Sequence, residues 1–255
     1  MKKLKIFLLI FLFVNLSMPS LFGQDSDRYM LFGVHEDVVY PAKFQDYEKV
    51  INELVENVNK YKVKELKWIT TNTNDFRYLY VYPVANMAEM DNDNFKILAD
   101  KMGADKLGDL FERMDKCYAE HFNYMLMLDK KLTYMPGGIT QTPAGQNYRR
   151  FYYVYFTPSE AGKLEESLMA VKDLYTKKGS KQEYRVYRSG FGAPGDFYMI
   201  AVADKDGLSY ETNDAANNKL IGNDAEGIFL EMMKHVRKFQ EVTGRMRPDL
   251  EPSVK

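Results

Sequence analysis

The sequence predicts an α+β fold made of two tandem β-α-β-β-α-β halves, packed sheet to sheet as a barrel within one chain. Three observations carry this. The strand-prone run Tyr148-Arg-Arg-Phe-Tyr-Tyr-Val-Tyr-Phe-Thr-Pro158 has an echo in Arg28-Tyr-Met-Leu-Phe-Gly-Val-His35, and a helical pattern follows each. The order of elements after each run is the same. Residue identities repeat with it: Asp75-Phe76 and Asp196-Phe197 open corresponding strands, and Val81 matches Val202. Gly103, Asp105, Gly108, Glu112 and Met114 align with Gly222, Asp224, Gly227, Glu231 and Met233 at one constant offset.

Residues 1–23 read as a secretory signal. Lys2, Lys3 and Lys5 precede the apolar run Ile6 to Val14, and Ser17, Ser20 and Gly23 supply small residues near a cleavage point. The apolar run is too short to span a bilayer. The mature chain is therefore expected to be exported, periplasmic or secreted, and free of the membrane once the signal is cut.

The first half covers residues 28–135. Tyr29 to Val34 is a strand, and after Pro41 the apolar positions Phe44, Tyr47, Val50, Ile51, Leu54, Val58 and Tyr61 recur at helical spacing. Leu66 to Thr71 and Phe76 to Tyr82 are strands around the turn Thr-Asn-Thr-Asn-Asp75. A helical pattern runs from Met87 to about Tyr124, broken near Gly103, and Lys131 to Met135 makes a short last strand. Residues 136–147, rich in glycine, proline and threonine, form a linker. In the second half, residues 148–250, strand Arg150 to Phe156 precedes a helix from Ser159 to Lys178. Strands Glu183 to Arg188 and Asp196 to Ala203 flank Ser189-Gly-Phe-Gly-Ala-Pro-Gly195. A helical region then extends to about Val242, and Arg245 to Leu250 is the last strand.

Charge and cysteine content narrow the function. With a net charge of -1 the chain has no global basic field for nucleic acid or an anionic membrane. One cysteine, Cys117, cannot form an internal disulfide, so a packed core must hold an exported chain together. Aromatics are 14% of the chain and 19 residues are tyrosine, side chains that suit a thick core or a pocket wall.

Each β-α-β-β-α-β unit is a split-βαβ, ferredoxin-like arrangement with helices on one sheet face. The passage His35-Glu-Asp-Val-Val-Tyr-Pro41, followed by Tyr47-Glu48, resembles the strand-to-helix passage of NIPSNAP-like and antibiotic-biosynthesis-monooxygenase-like members of the dimeric α/β-barrel superfamily. The second half departs from it with Thr157-Pro158-Ser159. The resemblance implies the fold, here fused in tandem, and transfers no activity.

Strand alternation gives an expectation for each face. Met30, Phe32, Val34, Leu79 and Val81 are expected against the helices, leaving Tyr29, Gly33, His35, Tyr78 and Tyr80 between the sheets. In the second half Tyr152, Val154, Ile200 and Val202 are expected outside, with Phe151, Tyr153, Tyr155, Phe197, Met199 and Ala201 inside. The inward tyrosines either fill the interior or rim a small pocket near one barrel end. His35 is the candidate catalytic residue, as a general base or as a group that orients a phenolic or enolic ligand. Tyr29, Tyr78, Tyr80, Tyr153, Tyr155, Arg185 and Tyr187 are the candidate ligand-binding residues. Arg185 and Tyr187 share one strand face, and a buried Arg185 needs a partner, Glu183 or an anionic ligand. His121 and His235 fall on the expected second helices, His235 at a solvated position. Trp68 reads as core. Three dispersed histidines and one cysteine give no metal-ligand spacing, and neither a dinucleotide fingerprint, a P-loop nor a nucleophile elbow is present, so no cofactor is predicted.

Two readings follow. One is an exported monomer or homodimer that binds a small apolar or aromatic molecule between its sheets. The other is a cofactor-independent monooxygenase- or isomerase-like enzyme with a His/Tyr pocket.

Overall fold

Eight antiparallel strands close a barrel in the computed structural model, which describes residues 27–253. The signal assigned to residues 1–23 lies outside the described residues. In chain order the elements are β1 (Tyr29–Val39), α1 (Phe44–Tyr61), β2 (Ile69–Thr73), β3 (Arg77–Val84), α2 (Asn94–Met102), α3 (Ala104–Asp115) and β4 (Tyr118–Asp129). They continue with β5 (Tyr148–Tyr155), α4 (Ala161–Lys178), β6 (Tyr184–Ser189), β7 (Phe197–Asp204), α5 (Gly207–Ile221), α6 (Asp224–Met233) and β8 (Lys238–Met246).

Around the barrel the strands run β1-β3-β2-β8-β5-β7-β6-β4. Two short seams join residues 29–129 to residues 148–246. Thr71 to Thr73 pair with Met246 to Gly244, and Leu126 to Leu128 pair with Ser189 to Tyr187. Closure leaves no free edge, so the backbone groups that an open sheet exposes are paired within the chain.

Two strands differ from expectation. The helix expected up to Tyr124 stops at Asp115, and two residues later the twelve residues Tyr118–Asp129 form β4, paired with β1 along nearly its whole length. Phe122, Tyr124, Leu126 and Leu128 alternate there, and the long ladder outweighs the helix propensity of the intervening methionines and Glu120. Of the strand expected over Lys131 to Met135 only Tyr134 pairs, in a single antiparallel bridge with Tyr184. Lys131 and Leu132 form a turn in which Asp129 Oδ1 accepts from their amides at 2.9 and 3.1 Å. In the same way the helix expected to Val242 ends at Met233, and β8 starts at Lys238 rather than Arg245.

The helices lie outside the barrel. α1, α2 and α3 cover β1 to β3 through Tyr47, Ile51, Leu54, Leu98 and Leu110, with Tyr78 and Tyr80 in the same cluster. α4, α5 and α6 cover the other side around Leu164, Leu168, Tyr198, Tyr210 and Met232. The barrel interior is filled by Phe32, Val34, Leu79, Leu126, Phe151, Tyr153, Tyr187, Phe197 and Met199.

The face assignment in the second half agrees with this, and in β1 and β3 it is reversed. Phe32, Val34 and Leu79 point into the barrel, while His35, Tyr78 and Tyr80 point to the helices. Both faces of these strands are buried and both carry aromatic or apolar residues, so alternation fixes the grouping and not the direction. The Asp75-Phe76 match also misled the register. Phe76 is a turn residue at φ 62°, one position before β3, whereas Phe197 is the first residue of β7. The space at Gly33 is likewise filled locally, because the Tyr82 ring from β3 lies over it.

Gly244 sits in the β2–β8 seam, where a Cβ would stand 2.7 Å from the Asn72 carbonyl and 3.2 Å from the Phe151 ring. Gly244→Ala is therefore expected to lower unfolding stability by about 1–3 kcal/mol in urea titration. Gly227→Ala in α6, where nothing lies within 4 Å, is expected to be neutral or mildly stabilising.

Candidate active site

Within β1, His35, Glu36 and Asp37 alternate between faces. Glu36 turns into the barrel, where Arg77 Nη1 lies 3.3 Å away and Tyr124 Oη donates to it at 2.6 Å. His35 and Asp37 turn outward, toward the helices.

Asp37 is fully buried. Its Oδ2 accepts from Tyr47 Oη at 2.5 Å, and Tyr47 Oη lies 2.8 Å from Tyr80 Oη. Tyr47 is placed by the first turns of α1, and Tyr80 by β3, where it pairs with His35. The other carboxylate oxygen, Oδ1, is 3.1 Å from His35 Nε2. That approach is close but oblique, so Oδ1 has a charge partner without an aligned hydrogen bond. On the far side of the ring, His35 Nδ1 is 2.9 Å from Asn123 Oδ1 of β4.

The imidazole is thus held at both nitrogens while its side chain keeps 35% exposure. Burial opposes a charged ring here, but Asp37, Asn123 and Glu36 outweigh it, and the His35 pKa is raised above the ordinary histidine value. Burial, with the nearby Asp37 charge added, keeps the hydroxyls of Tyr47 and Tyr80 protonated far above the usual tyrosine range.

A cavity of about 410 Å³ opens over this group, between the outer face of β1, β3 and β4 and helices α1 to α3. Trp68, Tyr80, Phe95, Phe111 and Tyr118 supply aromatic walls, and His35, Asp37, His121 and Asn123 supply the polar floor. Trp68 is fixed by its indole N–H, which donates to the Leu250 carbonyl at 3.0 Å, and its ring stands nearly perpendicular to that of Tyr80 with centroids 6.1 Å apart. The His121 ring lies 5.6 Å from that of His35. Size and lining are those of a site for a small organic molecule.

The other candidate residues are dispersed. Of the seven named for ligand binding, Tyr80 alone lines this cavity. Tyr78 is buried against α1 and donates to Glu48 at 2.6 Å. Glu48 also holds Arg247, so the Tyr47-Glu48 pair ties α1 to the sheet and to the residue that precedes the turn Pro248–Leu250. Tyr29 lies at the barrel rim under the Arg28 guanidinium. Tyr153, Tyr155, Arg185 and Tyr187 belong to the barrel interior, away from His35. His121 is on β4, not on a helix. His235 is not solvated; its Nδ1 is 2.6 Å from Glu160 and its side chain is 10% exposed.

Asp37, Tyr47, Asn123, His121 and Trp68 are the site residues that the sequence left unassigned. For Asp37 the signal was present: in a strand, residue i+2 shares the face of His35. Asn123 and His121 were hidden by the helical reading of β4. Among the described residues no group of three His, Cys, Asp or Glu side chains is arranged to hold a metal ion, and no helix is long and apolar enough to cross a membrane.

The sequence matches no protein-family model and no curated protein. Solved structures do match. An anthrone oxidase-like protein superposes over 87% of this chain and 93% of its own, with a TM-score of 0.56 and 11% identity. A protein of Lactobacillus acidophilus NCFM named as a candidate monooxygenase superposes over 88% and 96%, with a TM-score of 0.51 and 13% identity. The chain shares with them an α+β barrel fold. At these identities the likeness concerns the fold alone.

Tyr47→Phe removes the donor to Asp37 Oδ2 and the partner of Tyr80 Oη. It is expected to cost about 1–3 kcal/mol in the urea midpoint, because a buried carboxylate oxygen loses its hydrogen bond. Tyr82→Phe, whose hydroxyl meets only the Met90 sulfur at 3.9 Å, is expected to stay within about 0.5 kcal/mol of the parent.

Proposed function

We propose that the cavity beside His35 binds a small aromatic molecule with an acidic O–H or C–H, and that His35 removes this proton. What supports the reading is the His35–Asp37 pair on the floor of an aromatic-walled cavity. A carboxylate beside Nε2 favours a proton there and leaves the Nδ1 lone pair as the base. This requires the Asn123 amide to be turned so that its NH2 group and not its oxygen stands beside Nδ1. Asn123, beside Nδ1, can present its amide N–H groups to the oxygen that gains charge. The aromatic walls suit a planar ring system, and a fixed Trp68 offers a stacking face.

The names of two structural neighbours, an anthrone oxidase-like protein and a candidate monooxygenase, favour a ring carbon acid as substrate. With dioxygen as co-substrate the balance closes without a further reductant: a ring CH2 and O2 give the ring C=O and water. In that scheme His35 takes the first proton from the CH2, and the resulting anion is held by Asn123. The simpler reading, a binding protein for such a molecule without turnover, uses the same cavity.

The reading of the chain's organisation is part of the proposal. Residues 28–135 and 148–250 are taken as duplicated ferredoxin-like halves, supported by the strand orders β4-β1-β3-β2 and β8-β5-β7-β6 and by the shared offset of the helix residues. The His35 to Glu48 passage favours a place near the NIPSNAP-like and monooxygenase-like members. Residues 1–23 are proposed to direct export, and the working unit is a monomer or homodimer.

Trp68 is the only tryptophan in the chain and borders the cavity, so its fluorescence reports binding directly. Anthrone is expected to quench it saturably and to be converted with oxygen uptake. His35→Ala is expected to lower turnover by about 10²–10⁴-fold while binding changes little. Saturable quenching without turnover in the parent leaves the binding protein. Failure to quench with anthrone and with 2-naphthol overturns both readings.

A further inference from the structure

At the barrel end opposite Glu36 and Arg77, Arg149 of β5 and Arg185 of β6 are 3% and 2% exposed. Among the described residues no carboxylate oxygen lies within 4.0 Å of either guanidinium. Each ends on main-chain oxygens instead. Arg185 Nη1 donates to the Thr140 and Gln141 carbonyls at 2.9 and 3.2 Å. Arg149 donates to the carbonyls of Gln141 at 3.1 Å, of Tyr148 at 2.8 Å and of Gln146 at 2.5 Å. The segment expected to be a plain linker therefore folds over this end of the barrel.

Carbonyl dipoles satisfy N–H groups without cancelling net charge, and burying an uncompensated ion costs several kcal/mol. The two guanidiniums also repel each other. Burial first, and Arg185 second, lower the pKa of Arg149 to about 10. Gln141 Nε2, fully enclosed beside them, has no hydrogen-bond partner, while its Oε1 accepts from Tyr187 Oη. A polar cavity of about 530 Å³ reaches Arg185 from solvent between the segment and α5. Glu183 and Asp204 also border it, beyond ion-pair range of both arginines.

We propose that this end of the barrel binds a small oxyanion, a carboxylate or a sulfate- or phosphate-like group, which enters by this cavity and replaces the segment's carbonyls on Arg185 and Arg149. The site is separate from the His35 cavity and does not depend on its chemistry. Two forked guanidiniums present parallel N–H pairs, the geometry that matches an oxyanion's paired oxygens. The unpaired Gln141 amide adds a donor at the same place.

The test is thermal unfolding of the purified protein in titrations of sulfate, phosphate and acetate, each against sodium chloride at matched ionic strength. At least one oxyanion is expected to raise Tm saturably beyond chloride, and the one that saturates at the lowest concentration identifies the ligand chemistry. Arg185→Gln is expected to shift half-saturation at least 10-fold upward. If that variant does not fold, Arg185→Lys keeps the charge, loses the fork and is expected to weaken binding several-fold. Gln141→Ala keeps both arginines and should still saturate. Equal effects of chloride and all three oxyanions, or half-saturation unchanged in the Arg185 variant that folds, overturn the proposal.

Discussion

A buried carboxylate fixes the outer face of β1. Asp37 is enclosed by β1, β3 and α1, and it meets no lysine or arginine; its partners are the Tyr47 hydroxyl and the edge of His35. A charge in such a place is tolerated only when its lone pairs are met, since desolvation otherwise costs several kcal/mol. Tyr47 meets one oxygen and brings α1 to the sheet. Tyr80 meets Tyr47 and brings β3 into the same set. His35 meets the other oxygen and is thereby turned toward the cavity. Helix placement, ring orientation and the electrostatics of the floor all follow from that one residue.

Barrel closure has a different cause. The seams at β2–β8 and β4–β6 are only a few residues long, and the interior they enclose is a side-chain core with a polar cluster at each end. Glu36 with Arg77 and Tyr124 occupies one end; Arg149, Arg185 and Gln141 occupy the other. A filled interior leaves ligand-sized space on the outer side, under the helices. There the two sides of the molecule part company. The cluster under α4 to α6 is packed around Tyr175, Tyr184, Tyr198 and Tyr210, whereas α1 to α3 stand off far enough to leave the His35 cavity.

Much of this was legible in the sequence. The two strand-helix-strand-strand successions and the short turns led to a closed α+β barrel, and the structure places His35 on the wall of a cavity. The inward tyrosines of β5 were assigned correctly because Tyr152 and Val154 make an unambiguous opposite face, whereas the face shared by Arg185 and Tyr187 was left open between the interior and a charged edge. The first half resisted for a physical reason: β1 and β3 bury both faces, so Phe32 and Val34 look as suited to the helices as to the interior. A one-residue slip then carries a whole strand to the wrong side. It was encouraged by Phe76, a bulky residue at positive φ in a turn, where sequence patterns favour glycine or asparagine. β4 was missed because Ala119, Glu120, Met125, Leu126, Met127 and Leu128 are helix-forming residues, and only its long ladder with β1 decides the outcome.

The dependence of His35 on Asp37 is open to direct observation by NMR titration of the imidazole nitrogens in the parent and in Asp37→Asn. The neighbouring carboxylate should hold the His35 pKa above the ordinary value of about 6.5, and removing its charge should let burial dominate and bring the pKa down. A parent value below the ordinary one, or the same value in both proteins, would contradict the central role given to Asp37.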